Sequence, residues 1–124
     1  GDFVAKANVN EKEESENLIF EVINKYMYMD YEKFEIRITN NTDANVFIDT
    51  KEDTDTVYLE DRNGVEYDWY GHEIDNKLLE LAPNSNITLN IKFNKMYNES
   101  REDKSINFTN ILIGDEQKSI EIDL

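Results

Sequence analysis

The sequence has no cysteine, one histidine, one proline and four glycines in 124 residues. The missing cysteines exclude disulfide bonds, cysteine-ligated zinc and thiol catalysis, although many exported bacterial domains also lack disulfides. The single histidine, His72, has no second histidine or cysteine with which to form a transition-metal site or a nucleophile pair. No apolar run approaches the roughly 18 residues that a membrane-spanning helix requires. We therefore expect a protein without catalytic activity and without a membrane-spanning helix in this segment.

Basic residues are scarce beside acidic ones: 13 against 28, for a formal net charge of -15. Such a charge repels both nucleic-acid phosphates and anionic lipid headgroups. Nucleic acid is therefore not an expected partner, and membrane contact is expected only through an anchor upstream of the sequence. A chain of this length fits one domain and buries roughly two-thirds of its unfolded surface.

The first sixteen residues are polar, and the chain begins with Gly1 rather than methionine. We expect an export leader to precede this point in the gene. The acidic stretch from Asn10 to Asn17 predicts a solvated tether over residues 1–16, ahead of a folded domain over 17–124. Such a tether commonly joins a lipid-modified residue to its domain, so the expected location is extracellular and anchored at the cell surface.

Alternation of apolar and polar residues dominates the chain after residue 17, and no window shows a helical apolar stripe. Turn-forming residues separate the alternating segments at intervals of about 8 to 12 residues, a spacing typical of a β-sandwich or barrel. The pattern predicts an all-β, immunoglobulin-like antiparallel β-sandwich of about eight strands. A change of apolar parity after Phe108 predicts a β-bulge near Asn110.

The segment LEDRNGVEYDWYGHEID, which holds the only tryptophan and the only histidine, predicts a β-hairpin. A type I turn over Asp61 to Gly64, with Gly64 left-handed, gives a three-residue loop and a bulge. In that register Leu59 faces Tyr67. One face then collects the predicted core residues Val57, Leu59, Val65, Tyr67 and Trp69, and Tyr70 points outward.

Three segments together resemble a known family: FEIRITNNTD, VYLEDRNGVEYD and LLELAPNSNITLNIKF. They are similar to the telokin-like, immunoglobulin-type domains of unknown function found on lipoproteins of low-GC Gram-positive bacteria, over roughly Leu18 to Leu124. The matching positions are Asn40, Asn41, Leu59, Asp61, Gly64, Tyr67, Pro83 and Phe93. The family has glycine after that proline, where this chain has Asn84. The resemblance implies a fold and a cell-surface location, and it brings no catalytic residue.

Two surfaces are candidate binding sites. The aromatic run from Tyr26 to Tyr31 offers Tyr26 and Tyr28 to a protein or carbohydrate ligand, since tyrosine is enriched at interfaces; the alternative is packing of an edge strand. Tyr70 and His72, just past the hairpin, form a second candidate surface, against the alternative of a solvated loop.

Calcium is the alternative cofactor, although our first expectation is that the domain needs none. The loop from Asp49 to Asp55 presents hard oxygen ligands, of which calcium takes six to eight. It lacks the glycine at the sixth position of an EF-hand loop, so a calcium site here would be a looser one using Asp49, Asp53 and Asp55. A solvated acidic loop is the competing interpretation.

The sequence thus predicts a non-catalytic, extracellular module of a bacterial surface lipoprotein that acts in adhesion, in ligand binding or as a spacer. Its expected partner is a protein or another component of the cell envelope. A calcium-dependent binding module is the alternative, and an enzyme is the third possibility. Carboxylate pairs do not favour the enzyme, because with 28 acidic residues some pair at a suitable spacing arises by chance.

Overall fold

The computed structural model describes residues 2–50, 56–72, 78–94 and 104–124, and for 67–72 it describes the backbone. In this part of the chain there are ten β-strands. They are β1 (Phe3–Ser15), β2 (Leu18–Tyr28), β3 (Tyr31–Asn40), β4 (Val46–Asp49), β5 (Val57–Glu60), β6 (Glu66–His72), β7 (Leu78–Leu81), β8 (Ser85–Asn94), β9 (Ser105–Ile113) and β10 (Glu116–Asp123). No helix in the described ranges is long and apolar enough to cross a membrane.

The strands form two antiparallel layers that share β6. The first layer has the order β1-β2-β3-β8 and ends on the second half of β6, where Trp69 pairs with Phe93. The second layer is built around β9, which pairs with β10 on one side and with β5 and β4 on the other. The first half of β6 pairs with β5, and β7 pairs with β4. The predicted all-β antiparallel sandwich is confirmed, with ten strands in the described ranges rather than about eight.

The core lies between the layers and consists of the apolar residues that alternate along the strands. On the first layer Phe34, Ile36 and Ile38 are at most 1% exposed, whereas Glu35 and Arg37 between them are not buried. Burial of one such side chain stabilises the fold by about 1.5–3 kcal/mol. The other fully or nearly fully buried apolar side chains are Leu18, Phe20, Val22, Val46, Ile48, Val57, Leu59, Leu79, Leu81, Leu89, Ile91, Phe93, Ile106, Phe108, Ile111, Ile120 and Ile122.

The predicted tether over residues 1–16 is wrong, because residues 3–15 form strand β1. It pairs with β2 from Phe3 opposite Tyr28 to Ser15 opposite Leu18, and an ion pair between Glu16 and Lys118 ties the end of the hairpin to β10. β1 ends the strand order of the described residues and is largely exposed. Its pairing uses backbone hydrogen bonds, which a polar sequence supplies as readily as an apolar one. The folded domain therefore begins well before residue 17.

The predicted hairpin between β5 and β6 is confirmed in its turn and register. The N–H of Gly64 donates to the carbonyl of Asp61 at 3.0 Å, and Gly64 has φ of 79°. Leu59 pairs with Tyr67, as predicted. Val65 does not join the core, because it lies at the tip of the hairpin beyond the end of the sheet and is 50% exposed. The predicted bulge near Asn110 is also present, since Lys118 pairs with Ile111 and Ile120 with Phe108.

The turn after β3 is fixed by the buried side chain of Asn40. Its Nδ2 donates to the carbonyls of Ala44, Leu81 and Ala82 at 2.8, 3.0 and 3.2 Å, and its Oδ1 accepts from the N–H and hydroxyl of Thr42. Asn40 is 0% exposed. It therefore joins the β3–β4 turn to the end of β7, which explains why an asparagine ends the strand there.

Candidate functional site

The outer face of the first layer carries a cluster of aromatic side chains at one end. Tyr26 and Tyr28 alternate along β2, and β1 places Phe3 opposite Tyr28, with ring centroids 5.6 Å apart. Tyr31 of β3 stacks on Tyr28 at 4.5 Å and 18°. Met29 lies in the adjoining turn, where its N–H donates to the carbonyl of Asp2. We call Phe3, Tyr26, Tyr28, Met29 and Tyr31 the aromatic patch.

Three lysines from three different strands lie over the tyrosine rings. Lys6 of β1 and Lys33 of β3 place Nζ at 5.6 and 5.1 Å from the ring centroid of Tyr26. Lys33 is also 5.6 Å from the ring of Tyr28, and Lys92 of β8 is 5.1 Å from the ring of Tyr31. These are cation–π distances. The register brings the lysines together, because Lys6 pairs with Tyr26 and Lys33 pairs with Lys92.

The aromatic patch exposes apolar surface that the described part of the chain does not cover. Phe3 is 57% and Met29 is 63% exposed, and the three tyrosines are partly exposed. Tyrosine, phenylalanine and methionine are the residue types enriched at protein interfaces, and contiguous exposed apolar patches mark interaction sites. Asp2 and Asp30 lie at the rim of the patch, so its charge is mixed. The arrangement suits a flat contact with another macromolecule.

The outer face of the second layer is acidic, in contrast to the aromatic rings and lysines on the outer face of the first layer. Register places Glu60 beside Glu66 of β6 and beside Ser105 of β9, which in turn pairs with Asp123 of β10. Partial burial, together with Glu66, Glu60 and Glu121, raises the pKa of the Tyr58 hydroxyl. Partial desolvation and a hydrogen bond with Asp123 raise the pKa of Glu121. Acidic groups thus gather on this face, whereas the lysines gather on the other.

The predicted calcium loop lies mostly outside the described residues. Asp49 ends β4 and is 7% exposed; its Oδ2 accepts a hydrogen bond from Asn110 at 3.3 Å, and its carbonyl accepts one from Thr56 at 3.0 Å. Asp53 and Asp55 are outside the described ranges. Among the described residues no group of three or more His, Cys, Asp or Glu side chains is placed to hold a metal ion. Asp49 thus links the end of β4 to Thr56 and Asn110.

The second predicted surface is described only by its backbone. Tyr70 and His72 belong to β6, where His72 pairs with Ile91 and a register shift lies between Trp69 and Gly71. Their side chains, and that of Trp69, lie outside the described part of the structure. The binding role of Tyr70 and His72 and the core position of Trp69 stay predictions.

The sequence singles out Tyr26 and Tyr28 as candidate binding residues, which stays a prediction, but not the residues that surround them. Phe3 and Lys6 were assigned to a tether, and Lys33 and Lys92 are ordinary outward positions of their strands. These residues come together only because distant strands pair; Phe3 and Lys92, for example, are 89 positions apart in the sequence. No local sequence pattern reveals such pairing. One feature of the sequence did point to this grouping: Tyr31 and Lys33 occupy outward-facing positions of β3, next to the tyrosine-rich strand β2.

Comparisons with known proteins support the fold. No family model and no curated protein matches the chain. A solved structure that is similar is described as "the crystal structure of a functionally unknown protein from Listeria monocytogenes EGD-e". The TM-score is 0.61 at 11% sequence identity, with 100% of this chain and 87% of the other covered. At this identity the likeness concerns the fold alone.

Proposed function

We propose that the chain is a non-catalytic protein-binding module of a bacterial cell surface, and that its partner docks on the aromatic patch. The observation that carries the proposal is the cluster of exposed Phe3 and Met29 with three partly exposed tyrosines on the outer face of a sheet. A spacer needs no such surface. The surface location rests on the resemblance to domains of low-GC Gram-positive lipoproteins, which is also a proposal.

The lysines define the chemistry of the partner. Lys6, Lys33 and Lys92 hold their ammonium groups against the tyrosine rings, and at physiological salt charges act over a range of about 8 Å. A partner at contact therefore meets these lysines, with Asp2 and Asp30 at the rim, rather than the net charge of -15 of the whole chain. A protein surface that combines apolar groups with acidic side chains fits the patch.

The proposal is tested by binding of the fluorescently labelled domain to cell envelopes of a low-GC Gram-positive bacterium. We expect saturable binding that is lost when the envelopes are first treated with protease. The control is periodate oxidation, which destroys sugar rings and should leave the binding intact. Binding that survives protease but not periodate would identify a carbohydrate ligand instead. Absence of saturable binding would support the spacer interpretation.

A further inference from the structure

The turn of the β5–β6 hairpin contains the one Asn-Gly pair of the sequence, Asn63–Gly64. Both residues are exposed to solvent at the tip of the hairpin. Gly64 has no Cβ that would crowd the approach of its backbone nitrogen to the side chain of the residue before it. The turn therefore brings together an exposed primary amide and an unhindered backbone nitrogen, which are the two groups that react when asparagine is lost by deamidation.

The reaction needs only base and water, and asparagine is a thermolabile residue for this reason. The backbone nitrogen of Gly64 loses its proton and attacks Cγ of Asn63. The new N–Cγ bond closes a succinimide ring, and the side-chain nitrogen leaves as ammonia together with a proton. Water then opens the ring: cleavage of the N–Cγ bond leaves an aspartyl residue, and cleavage of the original peptide bond leaves an isoaspartyl residue whose backbone runs through Cβ and Cγ. Either product carries an added carboxylate.

In the folded hairpin, hydrogen bonds to Asp61 oppose ring closure. The N–H of Gly64 donates to the carbonyl of Asp61 at 3.0 Å. Oδ1 of Asp61 accepts from the N–H of Asn63 at 2.9 Å and from that of Val65 at 3.0 Å. A type I turn keeps ψ of its third residue, here Asn63, at about 0°, whereas ring closure requires the nitrogen of Gly64 to rotate toward Cγ. The turn must therefore open before the nitrogen attacks.

We propose that Asn63 is a site of spontaneous deamidation in the folded protein and that the side chain of Asp61 sets its rate. Opening of the hairpin tip is a local event that precedes global unfolding. Asp61 lowers the open fraction, because hydrogen bonds to a charged group stabilise more than bonds between neutral groups. Deamidation requires no partner, so it is independent of the binding proposed for the aromatic patch.

The isoaspartyl product should destabilise the hairpin. It adds a backbone carbon to a short loop in which the left-handed Gly64 and the bonds to Asp61 hold Leu59 opposite Tyr67. The variant Asn63→Asp adds the same charge on a normal backbone and is the matched control. We expect the purified isoaspartyl form to unfold at a lower denaturant concentration than Asn63→Asp. Equal midpoints would show that the loop tolerates the longer backbone and would overturn the assignment of Asp61 as a clamp on this turn.

The rate is measured by peptide mass spectrometry on the folded domain in mildly alkaline buffer, beside the same chain unfolded in urea. We expect Asn63 to be converted before the other asparagines of the folded domain, at least about tenfold more slowly than in the unfolded chain. Asn63→Gln, whose longer side chain closes no succinimide ring, should stay unmodified at that position. No conversion of Asn63 in the folded domain, or equal rates in the folded and unfolded chains, would overturn the proposal.

Variants of Asp61 test the clamp. Asp61→Ala removes the acceptor of two backbone N–H groups and should accelerate deamidation of the folded domain by at least about tenfold. Asp61→Asn keeps an acceptor oxygen and should accelerate it less. If Asp61→Ala does not fold, hydrogen exchange of the Gly64 amide in the wild-type protein measures the same opening. The protection of that amide should match the ratio of the unfolded to the folded deamidation rate. An unchanged rate in folded Asp61→Ala, or a Gly64 amide without protection, would overturn the role of Asp61.

Discussion

Gly64 donates its backbone N–H to the carbonyl of Asp61 across the β5–β6 hairpin while adopting φ of 79°. A Cβ built on Gly64 would have no atom within 4 Å, so a substitution here meets backbone strain and no steric clash. We expect Gly64→Val to lower the free energy of unfolding by about 1–2 kcal/mol, because β-branched residues resist the left-handed region. Gly64→Asn should cost far less. Denaturant unfolding of the two variants measures the difference, and equal losses would contradict it.

Asn40 should be the most sensitive polar residue in the described part of the fold. Asn40→Asp replaces the amide that donates to three carbonyls with a buried carboxylate that cannot donate. We expect a loss of about 2–4 kcal/mol in the free energy of unfolding. The matched control is the exposed neighbour, for which Asn41→Asp should change stability by no more than about 0.5 kcal/mol. A similar loss from both variants would show that added charge, rather than the lost donors, is responsible.

Glu121 should make stability fall as the pH rises. The pKa of Glu121 is raised in the folded state by partial desolvation first, and then by the nearby Asp123, Glu60 and Glu13. At pH values between the unfolded and folded pKa, the native protein therefore binds more protons than the unfolded chain. This contribution is favourable below the unfolded value of about 4.3 and is lost as the pH rises through the folded pKa.

Replacement by the neutral Gln tests this sign. Glu121→Gln should raise the melting temperature at pH 7, and the gain should disappear below about pH 4, where the wild-type carboxyl is already neutral. Glu14→Gln on β1 changes the net charge equally and controls for general repulsion. A Glu121→Gln variant that gains no more at pH 7 than Glu14→Gln would contradict the local explanation.

Calcium and magnesium should stabilise the protein equally. A net charge of -15 opposes the compact state, so sodium chloride and either divalent ion should raise the melting temperature by screening. A specific site would add about 2.7 kcal/mol when free calcium is a hundred times its dissociation constant. If calcium exceeds magnesium by several degrees and Asp53→Asn with Asp55→Asn removes the excess, the acidic loop is a calcium site.

Alternation of residue types was sufficient to predict most of the sandwich. Strands such as β3 and β8 are buried on one face, so Phe34 and Ile91 recur with a period of two. Strand β1 was missed because an exposed edge strand needs no apolar face. Its segment EKEES has the composition of a solvated, unstructured chain. The turn at Gly64 was predictable because its conformation favours glycine, whereas the exposure of Val65 depends on where the neighbouring strands end.

The functional surfaces were less predictable than the fold. Tyr26 and Tyr28 stand out in a short run, but their pairing with Lys6 and Lys33 depends on strand register. The ion pairs of the buried Glu32 with Lys25 and Lys104 were not predicted at all. Lys25 and Glu32 occupy inward positions of β2 and β3, where the alternation leads one to expect apolar residues, and their second cation comes from Lys104, more than seventy positions later.

The most direct test of the protein-binding proposal compares three forms of the domain in the envelope-binding titration. Tyr26→Ser with Tyr28→Ser removes two rings of the aromatic patch, and Tyr58→Ser removes a tyrosine from the acidic face of the other layer. Removal of an interface hot spot weakens binding by at least about 2 kcal/mol, which corresponds to an affinity reduced about thirtyfold. We predict that reduction for the double variant, with its fold retained, and wild-type affinity for Tyr58→Ser. Equal affinity of all three forms would contradict the assignment of binding to the aromatic patch.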